Sequence, residues 1–192
     1  MLSPNPAALE FLLSRRSRPA KTLQAPAPSK EELTQLLTAA ARTPDHGKLE
    51  PWRFIVIEQP AMARLAETVT ARGEDMGMDP EKIAKGRAQF DTGILAIAVI
   101  EVQKPSDKIP AIEQTYSAGA VCLALLNAAL AAGWGANWLS GWPSHDPVWR
   151  QTALGLAENE RIAGLVHIAT EGATPPERPR PNLEEVVTWV ST

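Results

Sequence analysis

Seven consecutive residues at positions 94–100 read Ile-Leu-Ala-Ile-Ala-Val-Ile, without one polar side chain among them. The run is far too short to cross a bilayer as a helix and is rich in β-branched residues, so it reads as a strand. Successive side chains of a strand point to opposite faces, so a strand that is apolar on both must be covered on both. That requirement selects a sheet sandwiched between layers of helix.

The helices are legible. Ser29 and Glu32 stand at capping-box spacing, and Leu33, Leu36, Leu37, Ala40 and Ala41 follow on one helix face. They predict a helix over 31–42, stopped by Pro44. Further helices are expected over 6–14, over 61–72 ahead of Gly73, and from Asp79-Pro80 through 89. Two more are expected over 111–132, ended by Gly133, and over 147–154. Strands are expected over 53–57, 136–139 and 162–169. The tail differs: Pro175, Pro176, Pro179 and Pro181 force an extended path, and the apolar Val186, Val187, Trp189 and Val190 beyond them need a surface to cover.

Composition narrows the rest. At 192 residues, 44% hydrophobic and 21% charged, the chain suits one domain over 1–192, with an arm from about 175. A net charge of -3 gives no general attraction to nucleic acid or to an anionic membrane. The apolar stretch 7–13 precedes the basic pair Arg15-Arg16, the reverse of a secretory signal. The longest apolar stretch, 118–133, is shorter than the ~20 residues of a spanning helix and contains Asn127, so a buried core helix is expected. A single cysteine, Cys122, closes no internal disulfide and suits a reducing cytoplasm.

Four segments carry residues suited to chemistry. Arg15-Arg16-Ser17, at the end of the first helix, offers two guanidinium forks and a hydroxyl to a phosphate, although basic residues also complement a helix C-terminus. The loop Thr43-Pro44-Asp45-His46-Gly47-Lys48-Leu49-Glu50-Pro51-Trp52 joins a helix to a strand and is dense in polar groups; His46 and Glu50 lack the companions of a metal site. Gly133-Trp134-Gly135-Ala136-Asn137-Trp138-Leu139-Ser140-Gly141 lets backbone approach a flat ligand, yet also reads as a helix stop followed by a plain strand. It follows a helix and opens a strand, which excludes a dinucleotide fingerprint. In Glu177-Arg178-Pro179-Arg180-Pro181, prolines hold two arginines on a stiff arm, able to grip an anion or simply to be solvated.

Taken in order and spacing, these four segments resemble the nitroreductase family, most closely its compact YdjA-like branch, over nearly the whole chain. The resemblance implies an α+β fold with a central, mainly antiparallel sheet sandwiched by helices. It also implies an intertwined homodimer with an extended C-terminal arm and FMN at the subunit interface. By the same resemblance, Arg15 and Ser17 would hold the FMN phosphate, with Arg16 near the ribityl chain or ring edge. Arg180, or Arg178, would return to the phosphate. His46 and Glu50 would line the flavin from the partner subunit, and Trp138, Leu139 and Ser140 would run past the isoalloxazine.

The activity so implied is hydride transfer from NADH or NADPH to flavin, then ping-pong delivery to an organic acceptor such as a nitroaromatic, quinone or enone. The flavin carries that chemistry, so no catalytic side chain is demanded. A flavin-binding sensor or carrier without turnover is the alternative, followed by a cofactor-free dimeric scaffold and by a different reaction on the same fold. One departure stands out: relatives often have glutamine where this chain has Glu50, and a carboxylate accepts hydrogen bonds but cannot donate them.

Overall fold

The computed structural model describes residues 3–192, so residues 1 and 2 of the expected single domain lie outside the described residues. In chain order the elements are α1 (Pro6–Ser14), β1 (Leu23–Gln24), α2 (Lys30–Ala40), β2 (Trp52–Glu58), α3 (Gln59–Asp75), α4 (Pro80–Asp91) and β3 (Leu95–Val102). There follow α5 (Ala111–Ala131), β4 (Gly135–Leu139), α6 (Trp142–His145), α7 (Pro147–Leu154), β5 (Glu160–Glu171) and α8 (Leu183–Val186).

The apolar run becomes β3, in the interior of the sheet between β2 and β5, and every ladder is antiparallel. Its side chains divide as a two-faced strand requires. Leu95, Ile97 and Val99 pack with Leu33 and Leu36 of α2 and with Val121, Leu125 and Ala129 of α5. Ala96, Ala98 and Ile100 face the other way, onto Met62, Leu65 and Val69 of α3, Phe90 of α4 and Trp149 of α7. A bulge shifts the register beside β5, where Val99 pairs with Gly164 but Ile100 pairs with Ile162.

The capping box forms on both arms: Ser29 Oγ accepts from the Glu32 N–H, and the Glu32 carboxylate accepts from the Ser29 N–H at 2.8 Å. Asp79 caps α4 by accepting from the Glu81 N–H at 2.8 Å. Gly73 does not stop its helix. α3 runs through it to Asp75, because a Cβ there would lie 2.6 Å from the Ile83 side chain, and glycine lets α3 and α4 pack closely. α5 is long and apolar enough to cross a membrane by length and composition, and it is a core helix on one face only. Cys122 lies on that face, its thiol pushed up to about 12 by burial, which makes it a packing residue rather than a nucleophile. The proline-rich segment carries no regular structure, and the tail beyond it forms one helical turn, α8, capped by Asn182. Leu183, Val186, Trp189 and Val190 are exposed.

Candidate active site

Arginines converge where the chain leaves α1. Arg15 closes that helix, and its guanidinium donates to Ser17 Oγ at 3.2 Å. The next residues run beside β4, where the Arg18 N–H donates to the Ala136 carbonyl at 2.8 Å. Arg16 donates to the carbonyl of Pro176, which brings the tail back to the N-terminal segment. Arg180 closes the group. Partial burial, then the charges of Arg180, Arg16 and Arg18, hold the Arg15 guanidinium below its ordinary pKa.

Among the described residues carboxylates form ion pairs with two of these four cations. Arg180 pairs with Glu177 at 2.8 Å. Arg18 Nε lies 2.6 Å from Glu171 Oε1, close enough for an ion pair although the angle is not that of a hydrogen bond. Among the described residues Arg15 has no carboxylate partner, and its Nε is buried without a hydrogen-bond acceptor. Like charges crowded around an unsatisfied donor fit a bound dianion such as a phosphate monoester. The FMN phosphate meets that description.

From Arg18 the chain continues through Pro19, Ala20 and Lys21 into the wall of a cavity of about 590 Å³, between α4 and the turn after β4. Leu139, Trp142, Met78 and Pro19 give it apolar surface suited to a flat ring. The strand's alternation divides the expected Trp138-Leu139-Ser140 run. Leu139 and Ser140 line the cavity, whereas Trp138 points to the opposite face with its indole packed over Gly164. Asn137 lines the cavity as well. α4 approaches the turn closely because residue 86 is glycine: a Cβ there would lie 2.2 Å from Trp142 Nε1, which donates instead to the Lys82 carbonyl at 3.2 Å.

His46 and Glu50 lie elsewhere. Their loop is tied to α5: Ser117 Oγ donates to the Pro44 carbonyl at 3.0 Å and accepts from Trp52 Nε1 at 3.3 Å. His46 Nδ1 meets Glu113 at 2.6 Å. Lys48 and Glu50 both hold left-handed backbone, at φ 55 and φ 49, a conformation costing about 1 kcal/mol or more in a non-glycine residue and concentrated at functional sites. The recess beside His46 shares no lining residue with the cavity beside Leu139. Within one chain, therefore, Arg15, Arg16, Ser17 and Arg180 gather, Leu139 and Ser140 lie beyond them, and His46 and Glu50 form a separate group. Arg18, Glu113 and Gln89, which also bear on these sites, stood outside the sequence motifs. Only Arg18, next to Arg15-Arg16-Ser17, had a local signal to find it.

The nitroreductase family model matches residues 12–170. The chain belongs to that family. It is 37% identical over 163 residues, 85% of this chain and 87% of the relative, to the "Putative NAD(P)H nitroreductase YdjA" of Escherichia coli K12. A relative from Haemophilus influenzae is 36% identical over 164 residues, covering 85% and 88% of the two chains. Among solved structures, the nitroreductase-like family protein of Bacillus cereus superposes with a TM-score of 0.80 at 23% identity, over 99% of both chains. A Desulfovibrio desulfuricans protein solved in complex with FMN gives 0.75 at 21% identity, again over 99% of both. These two establish the shared fold.

Proposed function

We propose that this protein is an FMN-dependent NAD(P)H oxidoreductase that passes electrons to a small organic acceptor such as a nitroaromatic, quinone or enone. One observation carries the reading: the guanidinium groups of Arg16, Arg18 and Arg180 crowd Arg15, whose Nε is buried and unsatisfied, beside a cavity with room for a ring. Bound FMN supplies hydride acceptance and release at its ring. The chain's part is to bind and orient. Arg15, Arg16, Ser17 and Arg180 hold the phosphate, while Leu139 and Ser140 flank the ring and help exclude water.

The same reading makes the working unit a homodimer, in which His46 and Glu50 of the partner subunit complete the site. Exposed apolar surface supports it: Leu13 on α1, Tyr116 on α5 and Trp189 in the tail are 76%, 67% and 90% exposed. One buried cysteine fits a reducing cytoplasm. The deciding experiment is a spectrum of the purified protein followed by anaerobic addition of each nicotinamide. A flavin spectrum bleached by NADH or NADPH supports the enzyme. Bound flavin that neither bleaches would mean a carrier or sensor, and protein that takes up no FMN would remove the reading.

Glu50 sets a further expectation. Among the described residues its carboxylate forms no ion pair, with Lys48 or any other base in its own chain, so its charge is uncompensated there. Beside the flavin it opposes the extra negative charge of the reduced form. Glu50→Gln is expected to raise the two-electron midpoint potential by roughly 30 mV, on the order of 1 kcal/mol. Anaerobic redox titration of both proteins checks this, and an unchanged or lowered midpoint refutes it.

A further inference from the structure

α4 shows two different charged faces. On the side facing α3, Arg87 is neutralised twice, by Asp91 and by Glu67, each at 3.0 Å. On the cavity side Lys82, Lys85 and Gln89 follow at i, i+3 and i+7, one stripe along the helix. Lys21 joins them from the segment after Arg18. Among the described residues no aspartate or glutamate lines the cavity and none of these three lysines forms an ion pair. Glu81, one turn before Lys85, makes no ion pair with it. A chain of net charge -3 has therefore collected three unanswered cations around one apolar cavity.

A second observation lies inside. Gln89 Oε1 is buried without a hydrogen-bond donor, although its amide nitrogen reaches the Gly86 carbonyl at 3.4 Å. An unsatisfied buried acceptor in a cavity wall calls for a donor from whatever fills the space. We propose that this cavity takes an anionic, planar electron acceptor, its negative group held by Lys82, Lys85 and Lys21 and its body lying against Trp142 and Met78, beside the flavin ring that Leu139 and Ser140 flank. The proposal rests on the oxidoreductase reading above and adds the acceptor's charge to it. Lys21, Lys82 and Lys85 are exposed around the cavity, and their summed field draws in an anion and holds it in register, a pull that a neutral acceptor does not feel. The flavin phosphate does not account for the lysines, because the arginine cluster already answers it. The phosphate of NADPH and the negative ring of reduced flavin are the other charges that could reach them; the experiment separates all three, because a rate ratio cancels any change in the flavin and the titration uses oxidised protein.

Flavin-loaded protein is reduced anaerobically and reoxidised with 4-nitrobenzoate or with its neutral, similarly shaped amide, 4-nitrobenzamide. Each nitro group takes up two electrons, supplied by the reduced flavin and originally by NAD(P)H, with two protons, to give nitroso and water. The benzoate-to-benzamide rate ratio is expected to fall roughly tenfold in Lys82→Gln/Lys85→Gln, and to fall with added salt more steeply in the wild type than in the variant, which keeps Lys21. Calorimetric titration of the oxidised protein with 4-nitrobenzoate is expected to show the matching loss of affinity. An unchanged ratio overturns the proposal. So does a loss confined to reduction by NADPH relative to NADH, which would assign the lysines to the nicotinamide cofactor. The titration needs no turnover: a protein that binds flavin but is never bleached defeats the oxidoreductase reading, while its anion affinity still decides for or against the lysines.

Discussion

Replacing Arg15 by methionine is expected to strip the protein of FMN while leaving its fold as stable as before or slightly more so. The two halves of that result have one cause. In the free protein the Arg15 guanidinium is partly buried, faces Arg180, Arg16 and Arg18, and has an Nε with no acceptor. It is an electrostatic liability until an anion arrives. Methionine keeps much of the side chain's length and removes the repulsion, so the thermal midpoint of the flavin-free variant should match or exceed that of flavin-free wild type. A charge-assisted contact to phosphate contributes about 2–3 kcal/mol, so FMN should bind roughly 30- to 150-fold more weakly. The rise in midpoint that FMN gives the wild type should shrink accordingly. Fluorescence titration with FMN and paired melting curves read both halves. Wild-type affinity in the variant would remove Arg15 from the site, and a lower flavin-free midpoint would make it a structural residue instead.

What the sequence disclosed and what it hid follow from how far apart the cooperating residues lie. β3 was readable because burial on both faces leaves its mark in consecutive residues, and the α2 capping box because its partners are three residues apart. Arg15-Arg16-Ser17 is contiguous, so its suitability for phosphate could be read locally. Gly73 misled because a glycine that ends a helix and one that admits a neighbouring helix look alike in sequence; Ile83 of α4 decides between them. The lysine stripe of α4 went unnoticed for a similar reason. Lys82 and Lys85 look like an ordinary solvated face until the turn after β4 packs across Gly86 and makes them a cavity wall. Position along Trp138-Leu139-Ser140 does not say which face each residue takes: alternation along β4 gives the cavity side to Asn137 and Leu139 and the side over Gly164 to Trp138.

The pairing of His46 with Glu113 shows the same limit across 67 residues. Nothing near His46 in the sequence indicates a carboxylate partner, and nothing near Glu113 indicates a loop. The fold supplies both by docking the 44–52 loop on α5 through Ser117. Two backbones held in the left-handed region within that loop mean that its shape is maintained against a local cost, as expected where side chains must be presented to something beyond the chain itself.

Acidification should expose another buried group that lacks a partner. His167 stands on β5 opposite Ala96 of β3 and Asn137 of β4, is 2% exposed, and has an Nε2 with no hydrogen-bond partner. Burial pushes its pKa down to about 4, whereas in the unfolded chain a histidine titrates near about 6.5. The unfolded chain therefore takes up a proton that the folded protein refuses, and the stability tied to this difference is complete above pH ~6.5 and lost progressively towards pH ~4. Its full size is roughly 3 kcal/mol, of which about 2 kcal/mol should disappear between pH ~7 and ~4.5. Asp146 and Glu160 contribute in a different window. Hydrogen bonds from Arg72 and Arg53 hold them below the usual carboxylate range, so their stabilisation persists until the pH drops past about 4. Urea unfolding of His167→Leu should accordingly give a nearly flat profile over the interval in which the wild type declines, because leucine fills the same apolar position without inviting a proton. If both proteins lose stability in parallel, the acid sensitivity belongs to the carboxylates, and His167 must find a proton acceptor when the sheet forms.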